Sequence, residues 1–201
     1  MDGRIVVLVS GSGSNMLALA DACDRNEVPG RVVAVVSDRP CIAVDRARER
    51  GISSTVCNFS SFGSRDEWSA RLRDCVAAHS PDVVVSAGLM RILSPVFVDA
   101  FPGRLINLHP ALLPSFSGAH GVRDALEYGV KVTGATVHFI DNGIDRGPVL
   151  LQEPVPVAPD DDEASLHDRI KQVEHRLLPL ACRLILENKV RLKGRRSFFV
   201  Q

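Results

Sequence analysis

Residues 4–15 read RIVVLVSGSGSN, and the fold follows from how that stretch is read. Arg4 to Ser10 is a Val-rich run without polar alternation, the pattern of a strand covered on both faces by helices. Glycines follow at 11 and 13, and from Asn15 to Arg25 the apolar residues recur at helical spacing. A glycine loop between a strand and a helix lets the backbone approach an anion, and the free N–H groups at the helix start attract negative charge. Ser10 to Asn15 therefore reads equally as a phosphate cradle or as a tight turn in which Ser14 or Asn15 caps the helix. It is not a dinucleotide fingerprint, because the third glycine of G-x-G-x-x-G would fall on Met16, and no Gly-Lys-Ser/Thr follows to make a P-loop.

The same rhythm recurs downstream. Arg31 to Ser37, Ser53 to Cys57, Pro81 to Ala87 and Arg104 to Leu108 read as strands. Ile42 to Arg50 and Arg65 to His79 read as helices, the second with Trp68, Leu72, Cys75 and Val76 on one face. Repeated βαβ units imply a parallel sheet with right-handed crossovers. After Pro114 the pattern changes to a small-residue loop (Ser115 to Gly121), a short helix (Val122 to Tyr128) and strands at Lys131 to Ile140 and Pro148 to Val157, antiparallel to each other. The acidic loop Pro159 to Glu163 can cap a last helix that reaches about Asn188, with a break or kink at Pro179. The expected class is α/β: a Rossmann-like, mostly parallel sheet flanked by helices, with an antiparallel C-terminal strand portion, in one domain.

Composition narrows the function. The 201 residues are 45% hydrophobic, and 24 basic side chains balance 24 acidic ones with no strong local excess of either sign. That argues against a nucleic-acid groove or a polybasic membrane anchor, and Lys193-Gly194-Arg195-Arg196 reads as a solvated turn. Five dispersed cysteines (23, 41, 57, 75 and 182) without a C-x-x-C pair fit reduced thiols in a cytoplasm, with no zinc site. The apolar start is too short to span a membrane and lacks a signal-peptide layout.

Residues 105–114, LINLHPALLP, place an amide and an imidazole at the end of an apolar strand. Side chains two apart on a strand share a face, so Asn107 and His109 project together near the carboxyl end of the sheet, where α/β proteins bind ligands. An amide and a protonated imidazole would supply two donors to one developing oxyanion, as acyl transfer requires. Asp145, in the turn Gly143-Ile144-Asp145-Arg146-Gly147-Pro148, is a carboxylate that could keep His109 protonated or steer a proton. Spacing alone does not bring Asp145 to His109.

Four stretches together, VLVSGSGSN (7–15), PDVVVSAGLMRILSP (81–95), GRLINLHPALLPSFSGAH (103–120) and GATVHFIDNGIDRGPVLLQ (134–152), resemble the folate-dependent phosphoribosylglycinamide formyltransferase family of purine biosynthesis. N-x-H-P-x-L-L-P followed by a histidine and then D-x-G-P is a specific combination, and the resemblance spans nearly the whole chain. It implies transfer of a formyl group from 10-formyltetrahydrofolate to the amine of glycinamide ribonucleotide, by direct attack and without a metal. Asn107, His109 and Asp145 match the family's catalytic trio. Gly13, Ser14 and Asn15 match its substrate-phosphate loop, and Glu174 a substrate-contacting acid. Arg65, Leu89, Met90, Arg91, Ile92, Ile140, Asp141, Asn142, Gly143 and Ile144 match its folate pocket.

The resemblance also implies a single formyltransferase domain over 1–201, with phosphate binding in about 1–100 and folate binding and catalysis in about 101–201. Such an enzyme is cytoplasmic, a monomer or homodimer, with folate and a nucleotide as partners and no nucleic acid or membrane. The alternatives are a formyltetrahydrofolate hydrolase, a formyltransferase for another amine, or a non-catalytic folate- or nucleotide-binding module. The added domains of transfer-RNA formyltransferases and of the hydrolases are not expected in a chain that ends at Gln201 and starts its first strand at Arg4. Two departures stand out: Ser117-Gly118-Ala119-His120-Gly121-Val122-Arg123 replaces a P-G-x-H-x-H-R pattern, and Leu89 stands where an aromatic is common.

Overall fold

A computed structural model describes residues 2–200. In chain order the elements are β1 (Gly3–Val9), α1 (Ser14–Asp24), β2 (Gly30–Ser37), α2 (Ile42–Glu49), β3 (Ser53–Val56), a 3-10 turn (Phe59–Ser61), α3 (Arg65–Ala77), β4 (Val83–Ser86), α4 (Pro95–Val98), β5 (Leu105–His109), α5 (Gly121–Tyr128), β6 (Val132–Phe139), β7 (Val149–Pro156), α6 (Glu163–Leu186), β8 (Val190–Lys193) and β9 (Arg196–Phe199). The strands form one sheet in the order β3-β2-β1-β4-β5-β6-β7-β9-β8. The first five are parallel; β6 runs antiparallel to β5 and β7 antiparallel to β6, as the change of rhythm after Pro114 implies, and β9 then joins β7 in parallel. The chain adds strands on one side of β1 and then crosses to β4 on the other. That reversal opens a crevice at the carboxyl ends of β1 and β4.

Strand alternation sorts the core into two layers. Ile5, Val7 and Val9 face α1 and α6, together with Met16, Leu19, Leu166, Ile170 and Leu178. Val6 and Leu8 face α3 and α4, together with Trp68, Leu72, Phe97 and Phe101. The expected helical face of α3 is the buried one for Trp68, Leu72 and Val76, with Cys75 half-buried at its border. The Trp68 indole N–H donates to the Cys57 carbonyl at 2.8 Å, so the largest core side chain leaves no polar atom stranded.

Several local expectations change. Helix α1 is entered through Gly13 in the left-handed region (φ 74°), with no side-chain cap from Ser14 or Asn15, which instead form its first turn. A Cβ at Gly13 would lie 2.6 Å from Ala43 Cβ, so packing against α2 as well as backbone angle demands glycine there. Helix α6 runs unbroken through Pro179. The proline is buried among Leu177, Leu178, Ala181 and Cys182, and this packing offsets the missing backbone hydrogen bond. Asp162 caps that helix in a reciprocal capping box with Ser165, as the acidic loop suggests. The short helix α4 and the hairpin β8–β9 are additions to the sequence reading. Gly194 (φ 58°) sits in the turn of that hairpin, within the Lys193-Gly194-Arg195-Arg196 stretch. Among the described residues no helix is long and apolar enough to cross a membrane.

Candidate active site

Strand β5 carries its chemistry on one face. Ile106 and Leu108 pack into the α1–α6 core, whereas Leu105, Asn107 and His109 point the other way. Leu105 still meets the α4 layer, but two and four residues later the face turns polar. The antiparallel register sets Asn107 opposite His138 and His109 opposite Thr136. His138 donates from Nδ1 to the Phe139 carbonyl at 2.9 Å, which leaves Nε2 to accept from the Asn107 amide at 3.2 Å.

Asp145 completes the group. The loop after β6 starts beside Leu105, whose carbonyl takes the Ile140 N–H, then folds back along β5 until Asp145 reaches the far end. Asp145 has φ 50°, a left-handed conformation that aspartate tolerates better than most residues. Its Oδ2 lies 3.6 Å from His109 Nδ1 and its Oδ1 3.5 Å from His138 Nε2. These separations are too long for good hydrogen bonds, yet they put one carboxylate between two imidazoles. The Gly118 N–H donates to Oδ2 at 2.8 Å. Burial pushes the Asp145 carboxyl up, but the hydrogen bonds and the two imidazoles win and hold it below the usual carboxylate range.

His109 is buried, and its Nε2–H donates to the Phe116 carbonyl at 2.8 Å. Burial lowers its pKa more than Asp145 and Phe116 raise it, so the ring is neutral at neutral pH. In the free protein desolvation outweighs a charge held 3.6 Å away, which favours the other role considered for Asp145, steering a proton. The segment 110–114 after His109 is fixed from β6 and β7. Thr136 Oγ1 donates to the Ala111 carbonyl at 2.6 Å and accepts from the Leu113 amide at 3.1 Å, and Gln152 donates to the Leu113 carbonyl at 2.8 Å.

The glycine loop and the late helix meet at one point. Ser14 and Asn15 open α1, where the first amides have no intrahelical acceptor. The Asn15 side chain, however, donates to Glu174 Oε2 at 2.9 Å and leaves its own buried Oδ1 without a partner. Glu174 is buried on α6, and desolvation raises its pKa in spite of that bond.

The residues matched to a folate pocket fall into two loops and one outlier. Leu89 and Ile140 both pack against the α3–α4 core, while Met90, Ile92 and Ile144 are exposed. Within the 140–145 loop, the Gly143 N–H donates to Asp141 Oδ1 at 2.8 Å and Asn142 donates to Asp99 at 3.2 Å. Arg91, which asks for an anionic partner, has one inside the protein: its Nε donates to Asp38 Oδ2 at 2.9 Å. Arg65 is the exposed first residue of α3 and, among the described residues, makes no hydrogen bond or ion pair. A cavity lined by Arg4, Arg31 and Arg50 opens at the amino ends of β1 and β2, the edge opposite the Asn–His–Asp group. Among the described residues no three His, Cys, Asp or Glu side chains are grouped to hold a metal ion.

Sequence reading assigned no role to His138, which it met only as the histidine of the family motif, and it missed Asp38. The available signal for His138 was Thr136 and His138 alternating on one face of a strand, but only the register with β5 gives them a partner.

Comparison with known proteins identifies the family. Residues 3–182 match the formyl transferase family. The phosphoribosylglycinamide formyltransferase of Mycobacterium tuberculosis is 52% identical over 192 residues, covering 96% of this chain and 89% of that protein. The enzyme of the same name from Escherichia coli is 42% identical over 190 residues, covering 94% and 90%. The crystal structure of glycinamide ribonucleotide transformylase 1 from Symbiobacterium toebii superposes with a TM-score of 0.97 at 42% identity, covering all of this chain and 95% of that one.

Proposed function

This chain belongs to the formyl transferase family, and we propose that it transfers the formyl group of 10-formyltetrahydrofolate to the amine of glycinamide ribonucleotide. The observation that carries the reading is the meeting of Asn107, His109 and Asp145 at the end of β5, with one carboxylate between two imidazoles.

The amine nitrogen attacks the formyl carbon, and the carbonyl becomes a tetrahedral oxyanion. The Asn107 amide and the His109 Nε2–H donate to that oxygen, His109 exchanging the Phe116 carbonyl for it. Charge building on the oxyanion raises the affinity of the imidazole for a proton, so a ring that is neutral in the free protein is drawn toward the charged form as the barrier is climbed. Asp145, ionised, takes the proton that the attacking amine must lose and passes it toward N10. The carbon–N10 bond breaks, N10 leaves protonated, and the formyl group stays on the new nitrogen. The steps balance without a covalent enzyme intermediate.

Gly13, Ser14 and Asn15 hold the phosphate of the nucleotide on the first amides of α1, an anion site of ordinary physics. Glu174 contacts the same substrate from α6. Leu89 to Ile92 and Ile140 to Ile144 form the folate slot, supported by the exposure of Met90, Ile92 and Ile144 on these two loops. In this reading residues 1–201 act as one cytoplasmic unit on two small molecules, supported by the balanced charge and by five cysteines that are all unpaired.

The test follows folate deformylation by the purified protein with and without glycinamide ribonucleotide. Loss of formyl only when the nucleotide is present, with formyl recovered on it, is expected. Deformylation independent of the nucleotide would make the protein a hydrolase and overturn the acceptor assignment.

A further inference from the structure

Asp38 follows β2 in the stretch Ser37-Asp38-Arg39-Pro40, and its side chain is completely buried. Two guanidinium groups close over the carboxylate. Arg39 donates from Nε at 3.1 and 3.2 Å and from Nη2 at 2.8 Å, and Arg91 donates from Nε at 2.9 Å. The Ser10 hydroxyl, at the end of β1, lies near the same carboxylate and helps to lower its pKa. Burial opposes the charge, but these donors prevail and keep Asp38 ionised.

Arg91 and Ser10 lead to the 89–92 segment. Ser10 Oγ accepts the Met90 N–H at 2.8 Å, so the hydroxyl beside Asp38 also holds the backbone of that loop. Arg91 lies over the Phe59 ring, 4.2 Å from its centroid, and the Phe59 N–H is itself held by the Asp38 carbonyl at 2.9 Å. Asp38 thus fixes Arg91 from one side by charge and from the other through the ring it stacks on. The segment needs such an anchor, since Leu89 to Ile92 lie outside any helix or strand and expose Met90 and Ile92. Without it, the desolvation of apolar side chains would favour collapse of the loop onto the α3–α4 core.

We propose that Asp38 is a positioning residue for folate binding: from outside the slot it holds the 89–92 loop open through Arg91, with the neighbouring Ser10 holding Met90. The inference rests on the assignment of that loop to folate.

The test compares wild-type protein with Asp38→Asn and Ser10→Ala by folate KM, nucleotide KM, kcat and thermal midpoint. A direct titration with tetrahydrofolate, read by tryptophan fluorescence or calorimetry, accompanies the kinetics. Asp38→Asn leaves two guanidinium groups around a neutral amide. Its folate KM and its dissociation constant for tetrahydrofolate should both rise roughly tenfold, the scale of a hydrogen bond to a charged group. The nucleotide KM and the kcat at saturating folate should stay close to wild type. Ser10→Ala, which keeps every charge, should raise the folate KM by a smaller factor and serves if the Asp38→Asn protein does not fold. Folate affinity unchanged in both variants overturns the inference, as does an equal loss in kcat and both KM values that follows a fall in thermal midpoint. Wild-type protein that binds no folate overturns the folate assignment, and this inference with it. Wild-type binding matched by both variants overturns the role of Asp38 alone.

Discussion

Asn15 on the first helix donates its side-chain amide to Glu174 Oε2 on the last long helix at 2.9 Å, tying together two elements 159 residues apart. The bond occupies the carboxylate without satisfying it, because burial still raises the Glu174 pKa. Under the proposed function, both groups are poised for a substrate that would take up the unpartnered Asn15 Oδ1 and bring hydroxyls to Glu174. A site built this way gives up stability in the free protein for affinity.

Glu174→Gln separates the two effects. A carboxyl whose pKa is raised on folding contributes stability that is fully present below its unfolded pKa and lost as pH rises through the folded value. The Gln variant removes that loss, so at neutral and higher pH its thermal midpoint should exceed wild type by about 2–4 °C for each kcal/mol recovered. The KM for glycinamide ribonucleotide should rise at the same time. A thermal-shift series from pH 4 to 9 together with steady-state kinetics checks both. A variant less stable than wild type at pH 8 would contradict the account of Glu174.

Asn107→Ala and His109→Ala should each lower kcat by roughly 100- to 1,000-fold, the usual effect of deleting one oxyanion donor. Substrate KM values should change far less, since these donors act mainly in the transition state. Circular dichroism should show a folded protein in both cases. Near-wild-type turnover in either would remove that residue from the mechanism.

How much of this could be read from the chain depended on the range of the interaction. The parallel half was legible because each βα unit announces itself locally, as in Arg4 to Asn15, and the pairing of Asn107 with His109 needs only the two-residue period of a strand. Asp145 was legible as a candidate, but its approach to His109 depends on a loop that doubles back along β5. The role of His138 was not legible, because a histidine inside an apolar strand gains its partner only through the register of β6 on β5. Arg91 illustrates the opposite limit: its need for an anion was visible, while Asp38, 53 residues earlier, could be identified only by the fold. The lowering of the His109 pKa was not legible, because proximity to a carboxylate can be guessed from sequence and the depth of burial cannot.

Gly13→Ala should damage the glycine loop at two levels. The left-handed backbone (φ 74°) strains any side chain, at about 1–3 kcal/mol, and the new methyl would press on Ala43 Cβ at 2.6 Å. The start of α1 must then shift, and with it the amides proposed to hold phosphate. A lower thermal midpoint is expected, with a raised KM for glycinamide ribonucleotide and little change in folate KM. A raised folate KM with an unchanged nucleotide KM would show that the loop serves the other substrate.

The neutral state of His109 gives a pH signature whose sign is fixed by its cause. Burial lowers its pKa below the ordinary 6.5, so on acidification the unfolded chain takes up the proton first. Stability from this ring is therefore complete above about pH 6.5 and declines as pH falls through the folded pKa. His167 and His175 are shifted the same way by burial, so the wild-type curve alone would mix three rings. His109→Gln isolates one of them: its thermal midpoint should fall less steeply than wild type between about pH 7 and pH 5. In a nuclear magnetic resonance titration, the His109 ring should show a midpoint below 6.5. If instead kcat/KM climbs as the free protein is acidified through that midpoint, the reaction selects an already protonated ring. The neutral Nε2–H donor would then be the wrong reading, and Asp145 would have to deliver the charge before the substrate arrives.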